Sequence, residues 1–278
     1  MAADRAEVDE DALAEAYNRA LALEKAGELE AASRAYREVL ALDPADRGGA
    51  SVRLASMGQG PHPEKAPDAY VETLFDQHAE VFDNVLVEQL GYAVPVQLRQ
   101  LLSDLALGPF DRVLDLGCGT GLTGGELRGM AGYIAGVDIS ENMVELADER
   151  EVYDALYVGE ALAFLKSGND EEERWDLIAA TDVMPYLGDL TAFIGEMAAA
   201  LTSDGWIAFS TETLPDEVMA GRDYMVGPYQ RFAHREDYVR RLLAGNQLEV
   251  EAFEPITVRH EQGAPIAGHL VLARRKGR

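Results

Sequence analysis

Apolar residues change their spacing twice along the 278 residues of the chain. From Asp11 to about Leu42 they recur at helical intervals: Ala12, Leu13, Ala16, Ala20 and Leu23, then Leu29, Ala32, Ala35, Tyr36, Val39 and Leu40. Gly27 separates the two runs and Asp43-Pro44 stops the second, which predicts a helical hairpin. A third short helix from Gly49 to Met57 ends at Gly58, Gly60, Pro61 and Pro63, and Gln59 to Pro67 reads as a linker. From Tyr70 to Leu107 the helical period returns, broken at Gly91 to Pro95, with Tyr70, Leu74, Phe75, His78, Ala79 and Phe82 forming an aromatic stripe. Beyond it, short apolar runs alternate with helical segments: Arg112–Leu116, Tyr133–Asp138, Ala155–Gly159, Trp175–Thr181 and Trp206–Thr211. That alternation predicts an α/β chain with a doubly wound parallel sheet. Leu248–Val258 and His269–Ala273, around Gln262-Gly263, predict an antiparallel pair at its edge. A small all-α module over 1–60 and an α/β domain over 61–278, with helices at about 68–107, follow from the pattern.

The chemistry announces itself at Arg112–Gly121, RVLDLGCGTG, a buried strand running into Gly117, Gly119 and Gly121. Glycine there admits positive φ and lets a ligand press on the backbone. The GxGxG spacing differs from the GxGxxG of pyrophosphate sites, and Asp115 just before it would repel a phosphate and suits a cation. Asp138 ends the next strand about 20 residues further on, where an acid accepts hydrogen bonds from ribose hydroxyls.

At these residues the chain resembles the class I S-adenosylmethionine-dependent methyltransferases. The resemblance implies a Rossmann-like, seven-stranded sheet with an antiparallel last strand. It implies S-adenosyl-L-methionine as cofactor, with Asp115, Gly117, Cys118, Gly119 and Gly121 around its methionine part and Asp138 and Ile139 at its ribose. Met143, in a helix capped by Ser140, lies near the adenine or ribose. Glu160, with Ala161, stands where the family usually contacts the adenine amino group, and Thr181 closes the fourth strand. The helices before the first strand are either core packing or, as often in this family, a lid. The N-terminal hairpin is similar to one tetratricopeptide repeat at Gly27, Ala32, Tyr36 and Pro44, with Ala16 and Ala20 off the pattern.

Composition narrows the acceptor. The net charge is −26, from 24 basic and 50 acidic residues, and such a field repels nucleic acid and anionic lipid. The single cysteine, Cys118, excludes an intramolecular disulfide and a cysteine-cluster metal site, so no metal is expected. The acidic N-terminus carries no signal-peptide pattern and no stretch is apolar enough to span a bilayer, which predicts a cytoplasmic protein without membrane contact. Asn169–Arg174 reads as a solvated loop, and Arg274, Arg275, Lys276 and Arg278 as a solvated tail.

Methyl transfer asks the protein for alignment, a dry pocket and, for a high-pKa acceptor, a base. Asp182-Val183-Met184-Pro185-Tyr186, at the carboxyl end of the fourth strand, should border the transfer site; an N-P-P-Y or D-P-P-Y signature is absent. The base candidates are His78 and His234. Arg231, three residues before His234, would share its face on a helical turn and is a candidate for an acceptor carboxylate or phenolate. Tyr186, Tyr229 and Arg259 are further acceptor-site candidates, and His62 and His269 read as structural. The expected acceptor is a small organic acid, phenol or quinone-like molecule methylated on oxygen. A protein side chain recruited through residues 1–60, or a non-catalytic assembly role, are the alternatives, with a protein partner or self-association through that module.

Overall fold

The computed structural model describes residues 9–168 and 174–276. Residues 169–173 of the loop expected at Asn169–Arg174, and the tail residue Arg278, therefore lie outside the described residues. Helix α1 (Glu10–Lys25) is capped by the Asp9 carboxylate, which accepts from the Ala12 N–H at 3.1 Å, and packs against α2 (Leu29–Leu42) across buried Ala16, Ala20, Ala32 and Tyr36. Helix α3 (Ala50–Ser56) adds Ala50 and Leu54 to this cluster and turns Val52 and Ala55 the other way, onto Tyr186, Val226 and Phe232. The proline-rich stretch expected to be a linker is instead bonded to the α/β part. The Ala66 N–H donates to Tyr186 O at 2.9 Å, and His62 Nδ1 accepts from the Val226 N–H at 3.0 Å.

Helix α4 (Asp68–His78) leads through short irregular turns to a π-helical turn at Asn84–Gln89 and then to α5 (Val94–Asp104), which starts on Pro95. The wound unit follows: β1 (Phe110–Leu116), α6 (Leu122–Leu127), β2 (Ala131–Asp138), α7 (Glu141–Glu149), β3 (Ala155–Val158), α8 (Ala161–Ser167), β4 (Trp175–Ala180), α9 (Thr191–Ala200) and β5 (Leu201–Glu212). β5 begins earlier than the expected Trp206, because Leu201 pairs with Trp175 before a bulge absorbs the turn at Ser203–Gly205. Then come α10 (Asp216–Met219), β6 (Tyr224–Val226), β7 (Phe232–His234), α11 (Glu236–Gly245), β8 (Leu248–Glu261) and β9 (Ala264–Arg275).

The strands run parallel in the order β3-β2-β1-β4-β5, and β9 adds antiparallel to β5, with β8 outside it. Beyond the expected strands, the β6–β7 hairpin extends the sheet. Glu212 pairs with Gly268 of β9 on one side and Ala233 of β7 on the other, so β7 lies past the end of β4. Successive side chains of each strand enter opposite layers. Leu114, Leu116, Ile178 and Phe209 pack with Phe193, Ile194 and Met197 of α9, while Val113, Leu177 and Ala208 pack with Leu98 and Leu102 of α5. The chain leaves β1 toward β3 and crosses back to β4, so the crevice opens at the carboxyl ends of β1 and β4, where such sheets bind ligands.

Candidate active site

A cleft with roughly 1090 Å³ of empty space opens at that switch point. Its floor is the glycine loop, where Gly117, Gly119 and Gly121 take φ of 65°, 51° and 90°. A Cβ on Gly117 would stand 2.5 Å from Val183 Cγ2, so the loop lies directly against the chain leaving β4. Asp138 closes one side: its Oδ2 accepts from the Gly119 N–H at 2.8 Å and its Oδ1 from the Ser140 N–H at 2.9 Å. Burial pushes this carboxyl upward and those N–H groups pull it back. Glu160 caps α8, its Oε2 accepting from the Ala163 N–H at 2.7 Å while the residue faces the cleft.

Asp115 stands behind the loop. It is fully buried, Oδ2 accepts from the Tyr153 hydroxyl at 2.7 Å, and Oδ1 has no hydrogen-bond partner among the described residues. Burial raises its carboxyl to about 7 against the Tyr153 bond, with Asp138 adding to the rise. A cation arriving near it would relieve that cost. These acids, beside bare backbone and with no lysine or arginine on the loop, fit a positively charged nucleoside with free ribose hydroxyls and do not fit a phosphate.

The roof comes from the segment before β1. Val71, Phe75, Phe82, Leu86 and Tyr92 face the cleft, and Phe75 meets Tyr186 edge to face with ring centroids 5.3 Å apart. Polar ties hold the roof down: Ser140 Oγ donates to Asp76, Thr120 Oγ1 to Asp83, and Arg150 to both Asp83 and Thr120 O.

The sequence candidates separate cleanly. Gly117, Cys118, Gly119, Asp138, Ile139, Glu160, Ala161, Thr181, Tyr186 and Arg231 all line the cleft. Asp115, Gly121 and Met143 stand behind it; Met143 is fully buried and its N–H donates to Ser140 Oγ at 3.1 Å. The expectation for His234 is corrected: it is fully buried, with Nε2 within 2.8 Å of Leu187 O and 3.1 Å of Gly188 O, and burial lowers its pKa to about 4. Ring nitrogen Nε2 must carry the proton to meet two carbonyls, so this imidazole is a strut. Arg231 and His234 do not share a helical face, since the chain is extended there and an odd separation places them on opposite sides. His78 sits at the end of α4, Nδ1 2.7 Å from Leu74 O and outside the cleft wall, which removes the second base candidate. Tyr229 belongs to the turn between β6 and β7 and is also outside the wall. Arg259 is fully buried behind the wall, where Nη2 donates to Glu212 at 2.6 Å, Nε to Glu261 at 3.0 Å, and Nη1 lies 3.5 Å from Asp182. His269 is buried against Phe253 and His62 bonds Val226, as structural residues should.

Tyr92 and Lys65 are wall residues that sequence reasoning missed. Tyr92 follows the helix break, bonds Thr181 and is held protonated by burial; no spacing signal marks it. Lys65 sits in the supposed linker and pairs with Asp68 at 2.7 Å.

With this geometry in place, the comparisons fall into line. The methyltransferase domain family's profile matches residues 90–255, more than half of the chain, and the chain belongs to that family. The chain is similar to ubiquinone biosynthesis O-methyltransferases from Bartonella quintana (28% identical over 109 residues, 38% of this chain and 44% of the relative) and Coxiella burnetii (26% over 117 residues, 42% and 50%). It thus spans about half the length of the curated relatives it matches. Its fold is that of an S-adenosylmethionine-dependent methyltransferase from Clostridium acetobutylicum (TM-score 0.53, 15% identity, covering 73% of this chain and 100% of the other). It is shared also with magnesium protoporphyrin IX methyltransferase from Synechocystis PCC 6803, solved with S-adenosylhomocysteine (TM-score 0.51, 16% identity, 83% and 100%). Among the described residues no helix is long and apolar enough to cross a membrane, and no cluster of residues is arranged to hold a metal.

Proposed function

We propose that the chain is an S-adenosylmethionine-dependent methyltransferase that methylates an oxygen of a small organic acid, phenol or quinone-like molecule. The observation that carries the reading is the roofed cleft itself. The glycine loop and Asp138 form one end, Asp182, Tyr186 and Arg231 the other, and Phe75, Phe82 and Leu86 lie across the top. A flat apolar molecule fits such a space, whereas a folded protein surface meets the roof first. That similar relatives are named as O-methyltransferases adds weight.

In this reading the bound cofactor supplies a methyl group activated by its sulfonium charge, and the protein supplies placement. Asp138 holds the ribose hydroxyls, Glu160 faces the adenine amino group, Gly117 to Gly119 press on the methionine part, and Asp115 balances its charge from behind. The aromatic roof excludes water. Residues 61–278 are the catalytic unit and 1–60 a tetratricopeptide-like module, a reading supported by the burial of Ala32 and Tyr36 where that repeat is small and aromatic. Phenols, dihydroxybenzenes, hydroxybenzoates, plain carboxylic acids and amines offered to the full chain with S-adenosylmethionine should give S-adenosylhomocysteine and an oxygen-methylated product from one of the oxygen classes. Product found only from amines would end the reading.

A further inference from the structure

The acceptor end of the cleft contains a carboxylate to which the protein gives no hydrogen bond. Asp182 follows β4 with φ of 59°, in the left-handed region, and its N–H donates to Ser210 Oγ at 2.8 Å. Asparagine and aspartate are the residues that best tolerate that conformation without glycine. The side chain faces the cleft beside Tyr186 and Arg231 and is 16% exposed. Oδ1 is turned inward toward Arg259 and has no hydrogen-bond partner, which leaves Oδ2, to which no described residue donates, as the oxygen that a group in the cleft can reach. The cation paired with it, Arg259 Nη1, is 3.5 Å from Oδ1, an ionic distance rather than a hydrogen bond, and that nitrogen has no hydrogen-bond partner. A carboxylate placed in a largely dry wall and given no donor is an acceptor awaiting one.

We infer that Asp182 is the group that takes the hydrogen of the methyl-accepting hydroxyl, which makes the acceptor a neutral phenol-type O–H and not a carboxylate. The inference rests on the oxygen-transfer reading above and narrows it. A carboxylate acceptor would meet Asp182 as a like charge, whereas an O–H gives the carboxylate the donor it lacks. During transfer the hydroxyl oxygen forms the new O–CH₃ bond with its own electron pair. Its proton passes to Asp182, the S–CH₃ bond breaks with its pair remaining on sulfur, and the sulfonium charge is lost. The other groups that sense Asp182 are Glu212, Arg231 and Tyr92. Arg259 has Glu212 and Glu261 as further partners, so exchanging Asp182 for a neutral residue does not strand it.

The test uses 4-nitrocatechol, whose absorbance reports whether its hydroxyl is ionised, bound to the full chain with S-adenosylhomocysteine. Asp182→Asn keeps a residue suited to the backbone conformation and removes the charge. The bound probe should ionise at a pH at least one unit lower in the variant than in the wild type, because the carboxylate that favoured the protonated hydroxyl is gone. Affinity for S-adenosylhomocysteine should stay within twofold, and methylation of the same catechol should fall at least 100-fold. Failure of the probe to bind the wild-type complex, an unchanged ionisation midpoint, or undiminished turnover in Asp182→Asn would overturn the assignment. Carboxylates turned over with hydroxyls refused would also overturn it while leaving transfer to oxygen intact. Transfer to amines alone would remove both.

Discussion

At the cofactor end of the cleft, the glycine loop, Asp138, Glu160 and Ala161 come from one stretch of chain, each at a strand's carboxyl end and each held by backbone hydrogen bonds. At the acceptor end, Tyr92, Asp182, Tyr186 and Arg231, with Arg259 behind them, come from the roof, from the end of β4 and from the edge strands, and the charged ones are held by ion pairs. The first kind of site is fixed by local geometry and tolerates variation in distant segments. The second exists only when the whole sheet edge has folded, so its residues can be re-specified without disturbing the cofactor end. That division suits an enzyme with a constant donor and a family-specific acceptor.

The strongest way to break the comparison is Arg259→Met. Removing a fully buried guanidinium leaves Asp182, Glu212 and Glu261 facing one another, and stranding buried charge costs about 3–5 kcal/mol of stability. Chemical denaturation should show that loss, while the folded fraction should still bind S-adenosylhomocysteine with wild-type affinity. Equal loss of cofactor affinity would mean that the two ends are one unit.

Legibility in the sequence follows the same line. The strands of the wound unit, the glycine loop and Asp138 were readable because a short apolar run, a turn that needs positive φ and an acid about one βα unit later are all local rules. Ser140 was readable as a helix cap for the same reason, whereas Glu160 was readable only as the acid at the end of the third strand and its capping of α8 emerges in the fold. The misreadings all involve contacts that spacing does not encode. Arg231 and His234 looked like neighbours under a helical period, but the chain there is β7 and splits them, one to the cleft and one beneath Leu187 and Gly188. His78 lay on a true stripe, yet the stripe's cleft-facing members are Phe75 and Phe82. Lys65 and Tyr92 became wall residues only because the Pro-rich stretch bonds Tyr186 and because His260 N–H donates to Leu90 O at 2.7 Å, bringing β8 beside the roof.

A second experiment sharpens the cofactor end through pH. Asp115 in the folded protein is raised to about 7, so between its unfolded value and that point the native state holds a proton that the unfolded chain does not. Its contribution therefore favours folding at low pH and is lost as pH rises through about 7. Binding of a cation works in the opposite direction, since it needs the carboxylate ionised. Affinity for S-adenosylmethionine, measured by calorimetry, should weaken by up to about tenfold, about 1.4 kcal/mol, for each unit below pH 7. In Asp115→Asn the profile should be flat across that window and the unliganded protein should gain thermal stability at pH 8. A wild-type affinity independent of pH would place the cofactor's charge elsewhere.

The smallest expected effect concerns what joins the two ends. The roof reaches the acceptor end through Tyr92 but is tied down at the cofactor end, where Arg150 bridges Asp83 on the roof to Thr120 O in the glycine loop. Arg150 and Asp83 are both partly exposed, with side chains 34% and 43% accessible, so solvent screens the pair and its worth is about 0.2–1 kcal/mol. Arg150→Ala should consequently leave folding almost untouched and raise the dissociation rate of S-adenosylhomocysteine by about two- to fivefold, with little change in the association rate. Stopped-flow measurement separates the two rates. Because the same roof covers the acceptor, release of 4-nitrocatechol from the ternary complex should quicken in parallel; a cofactor-only effect would show that the tie fastens the loop and not the roof.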